Sequence, residues 1–281
     1  MDMMMKIMNS MNKHLYIIIG LLLAPLFCMA QGSKPAEESR VYRLDSLEEV
    51  VATAMQQEEY KDYIGMFKAY FAAIDQKVTP KEWADRMKAD AMTGIFDNFC
   101  TTDEHELYQL YQEQDQPDSL RQKVKSHYEA MIAKYGHLFP GKPAPDLTFT
   151  DKEGKEHSLQ SFKGKVLLVD IWGTWCAPCI AEMPYLAALQ KKYADREDVM
   201  IMSIACDKKA EKWKAYLAKH PTTWHQYLVT DKGNDQLDKA YFCEGIPRFI
   251  IIDRKGNIVS ADAMRPSDKA FDEYFSKIAN K

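Results

Sequence analysis

The chain has 281 residues, 46% of them apolar and 28% charged, so it is long enough for two ordinary domains, each with its own core. Its 37 basic and 41 acidic residues leave a net charge of −4. With no basic patch interleaved with aromatics, this balance argues against nucleic acid as a partner.

The amino terminus reads as a targeting segment. Lys6, Lys13 and His14 precede the apolar run LYIIIGLLLAPLF, and Ala30 stands before the polar stretch QGSKPAEESR. A charged region, a short apolar region and a small-residue junction are the parts of a secretory signal, here residues 1–30. The apolar run is short for a spanning helix and Pro25 interrupts it. Cys28 offers a lipid anchor as the lesser reading, with bulky Phe27 fitting poorly before it. Export would permit lasting disulfides. It would also leave Cys100, Cys176, Cys179, Cys206 and Cys243, an odd set with at least one thiol free or paired outside the chain.

Residues 31–136 read as a helical domain. Ser46 and Glu49 form a capping box before Leu47, Val50, Val51 and Ala54. Tyr60, Ile64, Phe67, Phe71 and Ile74 follow at helical spacing. Thr79-Pro80 with Glu82 opens a further helix carrying Trp83, Met87, Ile95 and Phe99. Asp118 or Ser119 caps a last one with Leu120, Val124, Met131 and Ile132. Four or five helices are expected, with the aromatic and methionine stripes as bundle core. Cys100 reads as a small buried hydrophobe.

HLFPGKPAPD (137–146) marks a boundary, and from 137 to 281 the pattern changes to strands and helices in alternation. LTFTDKEGKEHSL predicts two short strands around an acidic-glycine turn. KVLLVDIW and VMIMSIACD predict strands buried on both faces, and HQYLV a shorter one. Helices are predicted from Cys176 to about Ala194, over KKAEKWKAYLAKH, around 234–241 and over PSDKAFDEYFSKIAN. RFIIID and NIVSADA form a closing hairpin. The result is an α/β fold with a mixed central sheet, preceded by an all-α domain.

Chemistry concentrates in DIWGTWCAPCIAEMP (170–184). Zinc needs about four ligands, and His157, His220 and His225 are too scattered to join the cysteine pair, so no metal is expected. A bridge over so short a loop removes little unfolded-state entropy and makes a poor staple. At a strand-to-helix turn, however, the helix amino terminus favours the thiolate of Cys176, the attacking species. Pro178 in the first turn costs no hydrogen bond, and Cys179 is placed to resolve a mixed disulfide.

WCAPC in this setting resembles the thioredoxin superfamily. GKPAPDLTF…GKEHSL…FKGKVLLVDIWGTWCAPCIAEMP is similar to its exported TlpA/ResA-like thiol-disulfide oxidoreductases, and GIPRFIIID matches their cis-proline loop. The resemblance covers about 138–281 and leaves the helical half unexplained. It implies Cys176 as nucleophile, Cys179 as resolving thiol and Pro247 as the cis-proline, with Ile246 offering backbone groups to substrate. It implies Trp172 and Trp175 flanking the site, with Trp175 beside the disulfide, and Asp170 and Glu182 as the acids that handle protons. Cys206 and Cys243 fall near the same rim as a second disulfide, an electron relay or two separate thiols.

The function so implied is reduction of protein disulfides by a redox-active Cys176–Cys179 pair without further cofactor. It would act in the periplasm of a Gram-negative bacterium, soluble after signal cleavage, with electrons from a membrane-bound thiol donor, for instance in cytochrome c maturation. A thiol peroxidase is the alternative enzyme, but Gly173 stands where the peroxidase pattern has threonine. A partner-binding module is the non-enzymatic alternative, with the helical domain docking a partner or dimerising.

Overall fold

The computed structural model describes residues 63–98 and 103–281. The expectations for the leader, Cys28, the capping box at 46–49, Tyr60, Phe99 and Cys100 lie outside them. Among the described residues no helix is long and apolar enough to cross a membrane. The chain divides into two compact units between Gly136 and His137.

The first unit contains α1 (Tyr63–Lys77), α2 (Lys81–Asn98), α3 (Asp103–Gln112) and α4 (Asp118–Tyr135). Phe67, Phe71, Ile74, Met87, Ile95, Val124 and Met131 are buried, as their spacing predicts for a helical core. Trp83 departs from that pattern and is 45% exposed, because it lies on the first turn of α2 beside exposed Glu82 and Arg86. The start of α4 also differs from expectation. Pro117 occupies the capping position without a side-chain hydrogen bond, and Asp118 stands in the first turn, where its charge suits the helix dipole.

In the second unit a seven-stranded sheet has the order β2-β1-β5-β4-β3-β6-β7. Its strands are β1 (Thr148–Thr150), β2 (Glu156–Ser158), β3 (Val166–Trp172), β4 (Val199–Ala205), β5 (His225–Val229), β6 (Arg248–Ile252) and β7 (Ile258–Ser260). β3, β4 and β5 run parallel, while β6 is antiparallel to β3 and β1 to β5. This is the mixed sheet flanked by helices that the sequence implies. The connecting helices are α5 (Ala177–Lys192), α6 (Ala210–Lys219), α7 (Asp231–Ala240) and the closing α8 (Phe271–Ala279).

Alternation along the strands sends side chains to two cores. Leu167, Val169 and Ile171 meet Met202, Ile250 and Leu237 of α7 on one face. Val166 and Leu168 meet Leu186 of α5 and Phe275 of α8 on the other. β3 and β4 are buried along their whole length, which explains their nearly unbroken apolar sequence. The turn between β6 and β7 passes through Gly256 at φ +84°, a left-handed position that favours glycine.

α7 begins earlier than the sequence suggests, at Asp231 rather than near 234. The hydroxyl of Thr230 accepts from Gly233 N at 2.9 Å and caps it. Gly233, in the first turn of α7, is a packing residue. A Cβ there would stand 2.1 Å from the carbonyl oxygen of Thr148, so its lack of side chain lets α7 approach β1.

Candidate active site

β3 carries the chain to the carboxyl edge of the sheet, and the loop 173–175 turns it into α5. Cys176 caps that helix, its Sγ accepting the Cys179 N–H at 3.2 Å. Cys176 and Cys179 form a disulfide, with an S–S distance of 2.03 Å. Both are buried, Cys179 more deeply at 1% exposure against 5%, the asymmetry expected of an attacking and a resolving sulfur. The backbone donor and the helix dipole both favour negative charge on Sγ of Cys176 once the pair is reduced.

The cis-proline loop faces the pair. The Ile246–Pro247 bond is cis, and the Ile246 carbonyl oxygen lies 3.8 Å from Sγ of Cys176. Trp172 is fully buried and packs in one cluster with Cys176, Cys179, Trp213 and Leu217. Trp175 stands outside that cluster, 68% exposed, its indole 2.9 Å from where a Cβ on Gly173 would sit. The position where a peroxidase would have threonine is thus occupied by a glycine under the indole.

Asp170, on β3 six residues before Cys176, is 1% exposed. Burial pushes its carboxyl up to about 7; the Ser203 hydroxyl, donating at 2.8 Å, opposes this, and the charge of Glu182 adds to it. Oδ1 of Asp170 is buried without a hydrogen-bond partner. Glu182 is buried too, at 3% exposure. Both of its oxygens accept from Ser267, one from the backbone N–H at 3.0 Å and one from the hydroxyl at 2.7 Å. Glu182 thereby ties α5 to the segment before α8 while holding negative charge near Asp170.

Several residues here escaped the sequence reading. Asp207 accepts the Thr174 N–H at 2.9 Å and the Thr174 hydroxyl at 2.5 Å, which pins the loop preceding Cys176. Ser203, Trp224 and Ser267 were missed as well. Ser203 left a trace, as a hydroxyl residue in the middle of the apolar run VMIMSIA. Asp207 sits just past the end of that strand, on the edge where functional groups gather.

Cys206 and Cys243 are free thiols, so the second bridge suggested by their alignment is not formed. The Cys243 thiol turns to the carbonyl oxygen of Gly245 at 3.6 Å, and Cys206 packs partly buried on the core shared with α7. Burial pushes the Cys206 thiol up to about 12, with the charges of Cys243 and nearby carboxylates adding to it, and burial raises Cys243 as well, against the opposing charge of Arg248. Because thiolate is the reactive form, iodoacetamide at pH 8 should modify both at least about tenfold more slowly than free cysteine. Peptide mapping of the oxidised protein checks this, and modification at the free-cysteine rate would refute it. Among the described residues no cluster of metal-ligating side chains occurs.

Comparison with known proteins follows the same lines. The Redoxin family matches residues 139–275. Thiol-disulfide oxidoreductase ResA of Bacillus cereus is 31% identical over 151 residues, covering 54% of this chain and 85% of that protein. Thioredoxin-like protein YneN of Bacillus subtilis is 34% identical, covering 47% of this chain and 75% of that protein. Among solved structures, a thiol:disulfide interchange protein from Bacteroides sp. is 30% identical, covering 51% of this chain and 92% of that one, with a TM-score of 0.46.

Proposed function

Because this chain belongs to the ResA-like thiol-disulfide oxidoreductases of the thioredoxin superfamily, we propose that it acts outside the cytoplasm as a reductase of protein disulfides. The observation that carries the oxidoreductase reading is the Cys176–Cys179 pair at the amino terminus of α5, facing the cis-proline loop. A buried carboxyl with its proton affinity raised to about 7, that of Asp170, is matched to exchanging a proton with a thiol near neutral pH, and the reductive direction is the one the ResA-like resemblance favours.

In the reductive cycle the Cys176 thiolate attacks a substrate disulfide, forming a mixed disulfide and releasing one substrate thiolate. Cys179 gives its proton to Asp170 and its sulfur attacks Sγ of Cys176. The bond to substrate breaks, and its electron pair leaves on the second substrate sulfur. Two electrons pass from the dithiol to the substrate, and the enzyme is left with the Cys176–Cys179 disulfide. The pair itself is the redox group, and no further cofactor enters. Glu182, with one Ser267 donor on each of its oxygens, is the second acid of the site, and its charge raises the proton affinity of Asp170.

An extended substrate segment would meet the backbone of Ile246 beside Pro247 and the exposed face of Trp175. Peroxide chemistry is disfavoured, because the one nearby threonine, Thr174, is two residues before Cys176 and its hydroxyl is bound to Asp207. The leader-like residues 1–30 and the exported character of the motif support a periplasmic location in a Gram-negative bacterium. A membrane-bound thiol donor would then re-reduce the pair, and maturing cytochromes c or wrongly bridged proteins would be the substrates. The helical unit would dock a partner or a second copy.

Trapping tests this reading. Cys179→Ala, expressed in its native compartment, should accumulate mixed disulfides through Cys176, visible on non-reducing gels and identifiable by mass spectrometry. The wild type should reduce insulin. An empty trap together with inactivity on insulin would overturn the oxidoreductase reading, and trapping without insulin reduction would overturn its reductive direction.

A further inference from the structure

One hydrogen-bonded chain approaches Asp170 from across the sheet. Nε1 of Trp224 donates to Oγ of Ser203 at 2.8 Å, and that hydroxyl donates to Oδ2 of Asp170 at 2.8 Å. The arrangement is buried, with Ser203 at 0% and Trp224 at 7% exposure. It is also built by register, since Asp170 of β3 pairs with Ser203 of β4, and Trp224 immediately precedes β5.

An indole nitrogen can only donate, so Ser203 accepts from Trp224. The single hydrogen of its hydroxyl is directed at Oδ2. Oδ1 is the oxygen left without a partner. From this geometry we infer that Ser203 and Trp224 are positioning residues that place the Asp170 proton on Oδ1. They reserve that oxygen for exchange with the Cys179 sulfur. The inference rests on the reading that Asp170 takes the Cys179 proton, and it adds which oxygen does so and what enforces the choice.

The other groups around Asp170 do not duplicate this role. β6 offers apolar Phe249 in register. β4 offers Ser203 and, just past its end, the neutral thiol of Cys206. α5 offers the cysteine pair and Glu182, whose charge raises the proton affinity of Asp170 without bonding to it. On β5, Gln226 stands in register with Ser203 and makes no side-chain hydrogen bond. During resolution the Cys179 Sγ–H bond breaks and its proton moves to Oδ1. The sulfur then bonds to Sγ of Cys176, and the electron pair of the broken mixed disulfide leaves on substrate. Water afterwards takes the proton from Oδ1 and supplies one to the substrate thiolate, so protons balance.

The test uses the full oxidised chain, in which neither active-site cysteine titrates, and three variants. In the wild type the Asp170 carboxyl carbon and the Trp224 indole N–H resonance should titrate with one midpoint by NMR. Ser203→Ala removes a hydrogen bond to a charged group, so the Asp170 midpoint should rise by about one unit, and the Trp224 resonance should stop titrating with it. Trp224→Phe frees the lone pair that Trp224 occupied, so the hydroxyl can turn and accept from the protonated acid. The midpoint should then rise by less, and the single carbonyl band of the protonated acid should split in isotope-edited infrared spectra. Ser203→Thr should restore wild-type behaviour. In insulin reduction the acid limb of kcat/KM should move with the midpoint, leaving Ser203→Ala about tenfold slower one pH unit below the wild-type midpoint.

An unmoved Asp170 midpoint in Ser203→Ala, or one unshifted carbonyl band in Trp224→Phe, would reduce the two residues to packing and overturn the inference. If Ser203→Ala does not fold, the threonine and phenylalanine variants decide. Wild-type inactivity with these titrations intact would leave the proton placement standing and count against the reductase reading alone.

Discussion

Asp170→Asn should slow insulin reduction about 100-fold near pH 7, the lower range for loss of a proton-transfer group, while making the protein more stable. The stability effect follows from linkage. Asp170 is raised from 3.8 to about 7 by burial, so between those values the folded chain holds a proton that the unfolded chain has lost. Stability therefore falls as pH rises through this window, and the full penalty, on the order of 4 kcal/mol, is present above pH 7. Asparagine cannot ionise, so this slope should vanish in the variant. The gain at pH 8 should be smaller than the full penalty, because the new amide N–H groups stand where Oδ1 has no protein partner. Urea unfolding at pH 5 and pH 8 measures the slope, and parallel pH dependences in the two proteins would refute the burial account. The rate defect should fade toward high pH, where hydroxide removes the Cys179 proton without help from a carboxylate. A defect constant from pH 6 to 10 would remove Asp170 from proton transfer.

The second large effect is on stability alone. Gly233→Ala should destabilise the protein by about 3 kcal/mol or more, the upper range for overpacking a close contact. The added Cβ would meet the Thr148 carbonyl oxygen at 2.1 Å and a Val229 methyl at 2.6 Å. The oxygen is backbone, so no rotamer change relieves it. Moving α7 outward would also disturb the hydrogen bonds that Thr148 makes through its N–H and hydroxyl to Gln236, at 2.9 and 3.0 Å. None of these residues belongs to the redox site, so reduction per folded molecule should be unchanged. A urea midpoint equal to wild type would show that the helix shifts freely and would refute the contact.

Much of the site was legible because its elements are local. The apolar run VLLVDIW followed within a few residues by Pro178 specifies a buried strand ending at a helix start, and Cys176 falls at that junction whatever the rest of the chain does. Buried alternation also places Asp170 inside, since every residue of β3 is buried. The Asp151 turn between β1 and β2 was legible for the same reason, its carboxylate accepting from Glu153 and Lys155 within four residues. Trp175 was only half legible. Its place beside Cys176 follows from sequence, but its exposure depends on how the indole lies over Gly173.

The amino-acid sequence by itself determined the thiol chemistry: two cysteines one turn apart at a helix start, an acid on the strand before them and a cis-proline loop about seventy residues on. It also determined the change from helical texture to alternating strands near residue 137. Only the tertiary structure decided how that chemistry is supported. Ser203 reaches Asp170 from 33 residues away, Asp207 reaches Thr174 from 33, and Ser267 reaches Glu182 from 85. Cys206 and Cys243, neighbours on one rim, remain separate thiols. Hydrophobic periodicity records which face of an element is buried, and that is a local property of the chain. Which polar groups meet on that face depends on strand register and helix placement, which are properties of the packed whole.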